Sequence, residues 1–368
     1  MYIFGGIMQI GIIGLLFSGK STLFSTLLAH QVNPEKGKHK HETERGIVKV
    51  PDIRLDKLKD IFGKEKQVNA TIEFVKLSEI EKESHRGSGL PAQFLANIKT
   101  VDMVLHIVRA FNNDMYPHPD GSIDPDRDIN YINSEFLLSD LGIIENRIDK
   151  LEKLIQKTQD EHDKKELAVL KKCKAFLDEE HPLRELELSE NEELLIRGYQ
   201  FLTQKKVLYV INISEEQITQ SDEMIAQTRK LVTPGCDLTV LSAEIEKEIS
   251  QLEGEDAKAF LDDLQISEPA ADKLIRLTYR LLDVHSFFTI GDTECRAWTI
   301  RKGANALKAA GVIHTDMEKG FIRAEVVSYN DLMELGSLQA CREKGVLHLE
   351  GKEYVVKDGD ILYIRFNI

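Results

Sequence analysis

The 368-residue sequence is poor in cysteine, with four, and in tryptophan, with one. It also has no apolar run near the roughly 20 residues that a membrane-spanning helix needs. Cys173, Cys236, Cys295 and Cys341 lie far apart and form no Cys-x-x-Cys pair. That spacing argues against a zinc ribbon or a disulfide framework and suits reduced thiols in a cytoplasm. Positive charge is in deficit: 48 Lys and Arg face 62 Asp and Glu, a net charge of −14. Such a balance speaks against broad affinity for nucleic acid, and nothing points to sequence-specific DNA binding, although a local basic face remains compatible with it. The start, "MYIFGGIMQIGIIG", is apolar but carries no basic segment and no small-residue cleavage site, so it reads as a strand and not as a signal peptide.

Short runs rich in Val and Ile recur at Gln9–Gly14, Thr71–Val75, Met103–Val108, Val207–Ile211 and Leu238–Leu241. Helical patterns separate most of them, the sign of a buried, mostly parallel sheet with helices on both faces. The alternation breaks between residues 133 and 204, which are charged and helical. Ile144, Ile148, Leu151 and Ile155 repeat at steps of four and three, Leu167, Leu170 and Phe176 continue the pattern, and Pro182 ends it. Two antiparallel helices fit this insertion, their charges forming either a solvated face or a docking surface. From His285 onward, "SFFTI", "RAWTI", "GFIRAEVV", "LHLEG", "EYVV" and "ILYIRF" are strand candidates, with a helix around Ala304–Ala310. That mixture predicts a small α+β domain.

The stretch "GLLFSGKST" follows the first strand and opens a helical pattern. Gly14, four residues, then Gly19-Lys20-Ser21-Thr22 is the spacing of a phosphate-binding loop in its required strand-to-helix setting. Glycines let the backbone wrap phosphate oxygens, and Ser18 and the neighbouring amides face them. Lys20 reaches the outer phosphates and Ser21 offers a hydroxyl to Mg2+. Phe17 puts an apolar side chain in the loop without removing its amide. The competing reading is a glycine-bounded turn without a ligand, which four specified positions and correct flanks disfavour.

Several long stretches resemble the YchF group of Obg-like ATPases. They are "VPDIRLDKL" (Val50–Leu58), "QFLANI" (Gln93–Ile98), "HIVRAF" (His106–Phe111), "RDINYINSEFLLSDL" (Arg127–Leu141), "ECRAWTIRKG" (Glu294–Gly303), Ala309–Ser337 and Leu349–Asn367. The resemblance implies a P-loop nucleotide hydrolase domain at 8–132 and 205–284, a helical insertion at 133–204, and a TGS domain of β-grasp fold at 285–368. It also implies a cytoplasmic protein that binds ATP or ADP with Mg2+ and associates with ribosomes or translation factors, ribosomal RNA contact included. "MQIGIIGLLFSGKST" matches a family amino terminus, so the native chain is expected to start at Met8. Asn212-Ile213-Ser214-Glu215 stands where GTPases carry Asn-Lys-x-Asp, and this Asn-x-x-Glu form accompanies ATP preference in the family. Asn suits the N6 and N7 edge of adenine, and the Asp that selects guanine is missing. Ser242 and Ala243 match the segment that lines the base pocket.

The catalytic side departs from the family pattern. Lys76 and Glu79 occupy the Asp and Gly positions of its Asp-x-x-Gly motif, Phe17 replaces an Asn, and Lys40 falls near the Thr of the first switch, leaving Thr43 as the nearest hydroxyl for Mg2+. A cation in place of a metal-supporting anion and an added carboxylate both oppose Mg·ATP, unless Lys76 itself supplies charge to the phosphates. His39 and His41 form either a metal pair or part of a solvated loop. His85 orders a water or phosphate, or is a loop residue without chemical role. The expected function is a weak ATPase with an impaired Mg2+ site. A non-catalytic nucleotide-binding adaptor working through the hairpin and TGS domain is the alternative, and an interaction protein with an empty loop is a third.

Overall fold

The computed structural model describes residues 7–29, 43–78, 80, 89–252, 254–266 and 268–367. In chain order the first elements are β1 (Met8–Ile13), α1 (Lys20–Leu28), β2 (Glu44–Lys49), α2 (Ile53–Phe62), β3 (Lys66–Val68), β4 (Thr71–Lys76), α3 (Ala92–Thr100) and β5 (Met103–Arg109). There follow α4 (Pro125–Thr158), α5 (Glu161–Asp178), α6 (Glu190–Ile196), β6 (Lys206–Asn212), α7 (Ser221–Thr228), β7 (Cys236–Leu241), α8 (Ala243–Ile249), α9 (Gly254–Asp263) and α10 (Ala270–Leu282). The last are β8 (Val284–Ile290), β9 (Glu294–Arg301), α11 (Ala306–Ile313), α12 (Thr315–Lys319), β10 (Phe321–Ser328), α13 (Tyr329–Leu335), α14 (Leu338–Glu343), β11 (His348–Glu350) and β12 (Asp360–Phe366).

One compact unit comprises Gln9–Gly46 and Phe74–Ala271. Its sheet has the order β2-β4-β1-β5-β6-β7. The pairs β1 with β5, β5 with β6 and β6 with β7 are parallel. All seven residues of β5 are buried, which is why five of them are apolar with no inside-outside alternation. Ile13, Val104, Tyr209, Phe94 and Phe136 belong to one apolar cluster. Parallel strands place the turns after β1, β6 and β7 on one edge of the sheet, the carboxyl edge where ligands of such folds bind.

The helical insertion starts earlier than its charge pattern predicts. Helix α4 runs unbroken from Pro125, with Asp124 capping it and proline in its first turn. Its first half, at Ile129, Ile132 and Phe136, packs into the core of the nucleotide-type sheet. A boundary at 133 therefore cuts a continuous helix. The second half pairs with α5 through Ile144, Ile148, Leu151, Leu170 and Cys173. Ion pairs Glu145–Lys174 (3.1 Å) and Glu152–Lys171 (2.6 Å) step in opposite directions along the two helices, so the pair is antiparallel.

The other unit comprises Ile47–Glu73 and Asp272–Ile368. Its sheet has the order β11-β10-β12-β8-β9-β3. Residues 47–73, assigned from sequence to the 8–132 domain, thus pack with the carboxy-terminal region. Strand β3 adds in parallel to β9, from Lys66 opposite Glu294 to Val68 opposite Arg296. Arg54, ahead of β3, donates to Asp52 and to both carboxylate oxygens of Asp358 and lies 5.1 Å over the Phe288 ring. The three-residue span of β3 is too short for a periodicity to reveal. Ala306, Ala309 and Ala310 bring α11 close against Phe287 and Ile300. "EYVV" is not a strand: Val355 makes one isolated bridge with Asn305, and the Val356 amide donates to the Ala304 carbonyl.

Candidate functional site

Strand β1 delivers the chain into a tight arc between Gly14 and Gly19. A Cβ on Gly14 would lie 2.4 Å from the Ile107 carbonyl oxygen and 2.7 Å from Ser18 Oγ. Gly19 has φ 95°, and a Cβ there would fall 2.1 Å from Asn212 Nδ2. Only glycine fits either place, which is the physical content of the motif spacing. Gly19 caps α1 without a side chain, and no acidic residue stands in the first turn, so the helix start is free of competing negative charge. Lys20 is buried, and its ammonium donates to the carbonyls of Gly14 (2.8 Å) and Leu15 (3.1 Å). Ser18 Oγ is buried with no hydrogen-bond partner among the described residues, an orphaned polar atom within the arc. Thr22 is half-buried in α1, and Ser21 is exposed at its first turn.

Phe17 adopts a left-handed backbone, φ 61°, rare for a bulky residue. Its ring turns to Tyr116, with centroids 5.1 Å apart. The Tyr116 segment is held by buried Arg109, which donates to the carbonyls of Phe111 (3.0 Å) and Tyr116 (2.8 Å). The aromatic side chain is thus anchored on a neighbouring loop.

Asn212, at the end of β6, joins two loops. Its Nδ2 donates to the Ser18 carbonyl (3.0 Å), and its Oδ1 accepts from the Ala243 amide (2.9 Å). The residue is 3% exposed. One of its two N–H groups and one of its two oxygen lone pairs thus tie the loops together, which leaves one donor and one acceptor for a base edge. Ile213 is buried in the core, whereas Glu215 is exposed at the head of a short 3-10 turn. Ser242 caps α8, accepting from the Ile245 amide.

The chain after β4 is stitched to the arc. The Leu77 amide donates to the Ile12 carbonyl (3.1 Å) and the Leu16 amide to the Ile80 carbonyl (3.2 Å). This register brings Lys76 to the first turn of α1, where its ammonium donates to Ser21 Oγ at 3.3 Å and pairs with Glu44 at 2.5 Å. Thr43 is half-buried immediately ahead of β2. His39, Lys40, His41, Glu79 and His85 lie outside the described residues.

Sequence reasoning overlooked Glu44, Tyr116, Arg109 and His106. His106 sits on β5 opposite Ile13, fully enclosed. Burial, with the nearby Lys20 charge adding to it, lowers its pKa to about 3, so its imidazole is neutral. The run "HIVRAF" held both His106 and Arg109 and was the available signal.

An arc whose glycines face backbone and amide atoms, with a lysine folded into it and a hydroxyl at the helix start, defines a P-loop protein of the α/β class. The comparisons narrow that class. A family model named YchF-GTPase_C, described as a protein of unknown function (DUF933), matches residues 284–367. The sequence is 41% identical to the ribosome-binding ATPase YchF of Bacillus subtilis (strain 168), across 97% of this chain and 99% of that protein. It is 36% identical to Obg-like ATPase 1 of Pongo abelii, across 99% of this chain and 93% of that one. The solved structure of the Schizosaccharomyces pombe YchF GTPase matches with a TM-score of 0.86 at 31% identity, covering 98% of each chain. The chain belongs to the YchF family. Among the described residues, no helix is long and apolar enough to cross a membrane.

Proposed function

We propose that this protein binds ATP and ADP, hydrolyses ATP slowly, and associates with ribosomes in the cytoplasm. The observation that carries the reading is the arc itself: Gly14 and Gly19 where no Cβ fits, and Lys20 folded inside it. The residues fit a nucleotide. The amides of the arc, with Phe17 contributing only its backbone, together with Ser18, Lys20 and Thr22, would hold its phosphates. Ile213, Glu215, Ser242 and Ala243 would border the base, with Asn212 fixing the two loops around it. Glu215 in place of the guanine-selecting Asp supports the adenine preference. The relatives in Bacillus subtilis and Escherichia coli O157:H7 are named ribosome-binding ATPases, which supports the activity and the partner.

Slow turnover follows from Lys76 at a position where the family pattern has an aspartate, with Glu79 as a second departure. Calorimetry of the full chain tests the nucleotide assignment: ADP should bind more tightly than GDP, and Lys20→Ala should weaken ADP. Equal or tighter GDP binding would refute the preference. Single-turnover ATP hydrolysis distinguishes a slow ATPase from the adaptor alternative, which the Lys76–Ser21 contact favours and which predicts no product.

A further inference from the structure

Four side chains meet where β4 ends. The Lys76 ammonium lies 2.5 Å from Glu44 Oε1, donates to Ser21 Oγ at 3.3 Å, and stands 5.8 Å from the centroid of the Phe24 ring. Its side chain is 20% exposed, that of Glu44 44%. Ser21 is the residue whose hydroxyl would serve Mg2+ in a P-loop. Magnesium needs oxygen lone pairs in near-octahedral array. An ammonium has three N–H donors and no lone pair, and its charge repels a cation. Among the described residues, the carboxylate paired with this ammonium is that of Glu44. These residues do not fit a resident Mg2+.

We propose that Lys76 takes the place of Mg2+ as the cation opposite the nucleotide phosphates, with Glu44 as a resident anion that the phosphates displace. The inference rests on the nucleotide reading above. Both anions compete for the same ammonium, because holding Glu44 and a phosphate against it together would bring two negative charges into repulsive range. The Phe24 ring face steadies the ammonium whichever anion it holds. A cation tethered to β4 requires no free metal, so nucleotide affinity is set by the chain. Exchange also releases Glu44, the first residue of β2, so nucleotide occupancy is transmitted to the start of that strand.

The experiment is calorimetric titration of the full chain with ADP, in EDTA and in excess Mg2+. For the wild type the two dissociation constants should agree within about threefold. Lys76→Asp restores a carboxylate, so it should bind weakly in EDTA and recover about tenfold or more with Mg2+. Lys76→Met keeps a stem over Phe24 without charge and should bind weakly in both. Glu44→Gln removes the competing anion and should bind ADP more tightly than the wild type. Wild-type binding that Mg2+ strengthens about tenfold or more overturns the inference while leaving the nucleotide reading standing. Glu44→Gln binding more weakly than wild type also overturns it. No ADP binding in either buffer removes both.

Discussion

Replacing Asn212 by alanine separates two roles for the residue, fastening loops and reading a base. Its Oδ1 accepts from the Ala243 amide at 2.9 Å and its Nδ2 donates to the Ser18 carbonyl at 3.0 Å, with all three residues at most 3% exposed. Asn212→Ala leaves one N–H and one C=O buried without partners. Each costs about 1–3 kcal/mol, and water entering the vacated volume recovers part of it, so the net loss should be about 2–4 kcal/mol. Asn212→Asp refines the test. Its carboxylate still accepts from Ala243 but sets a second acceptor against the Ser18 carbonyl, so one bond survives and one becomes repulsive. Urea unfolding gives the stability change, and hydrogen exchange at the Ala243 amide reports the local bond. We expect faster exchange there and weaker ADP binding in Asn212→Ala, because the two loops are no longer tied. The reasoning fails if unfolding stays within about 0.5 kcal/mol of wild type and Ala243 remains protected while ADP affinity falls. That result would make Asn212 a reader of the base.

Two other outcomes follow from single features. The folded pKa of His106, about 3, lies below its unfolded value of about 6.5, so the unfolded chain binds the extra proton; this contribution to stability is complete above pH 6.5 and declines as pH falls toward 3. Between pH 7 and 5 it amounts to about 2 kcal/mol, and His106→Leu should lose that much less than wild type in paired urea titrations; equal losses would contradict the assignment. Arg301, Lys302 and Arg323 are exposed on the carboxy-terminal unit, and reversing all three to Glu should reduce co-sedimentation with ribosomes, most clearly at low salt. Unchanged pelleting would move the contact elsewhere, and point variants are the sound test because residues 47–73 pack with this unit and would be stranded by its deletion.

The sheet was legible because five of its strands are short and rich in branched apolar residues, with β5 and β6 buried along nearly their whole length. The five expected runs became β1, β4, β5, β6 and β7 with ends shifted by at most two residues. The helix boundary at 133 was misread because charge composition changes there while the backbone does not. The displacement of residues 47–73 into the other unit was invisible for a different reason. It is carried by partners far away in sequence, Arg54 with Asp358 and β3 with β9, and no local pattern encodes such pairs. The site divides the same way. Gly14 and Gly19 are demanded by local geometry, so spacing alone marked them, and Lys20 folds back onto the same arc. Asn212 was found by position, and only the fold shows the further role of its amide in tying Ser18 to Ala243. Lys76 is the instructive case. As a letter in the wrong place it read as a loss of function, one cation where the family pattern has an anion. Its ammonium at Ser21 Oγ and Glu44 turns that into a question of charge placement. A phosphate site needs positive charge opposite it, and on the proposal above a lysine fixed to a strand would supply it without a metal. An ammonium cannot position a cation as a carboxylate can, so on that proposal Lys76→Asp should change turnover more than it changes ADP affinity in Mg2+.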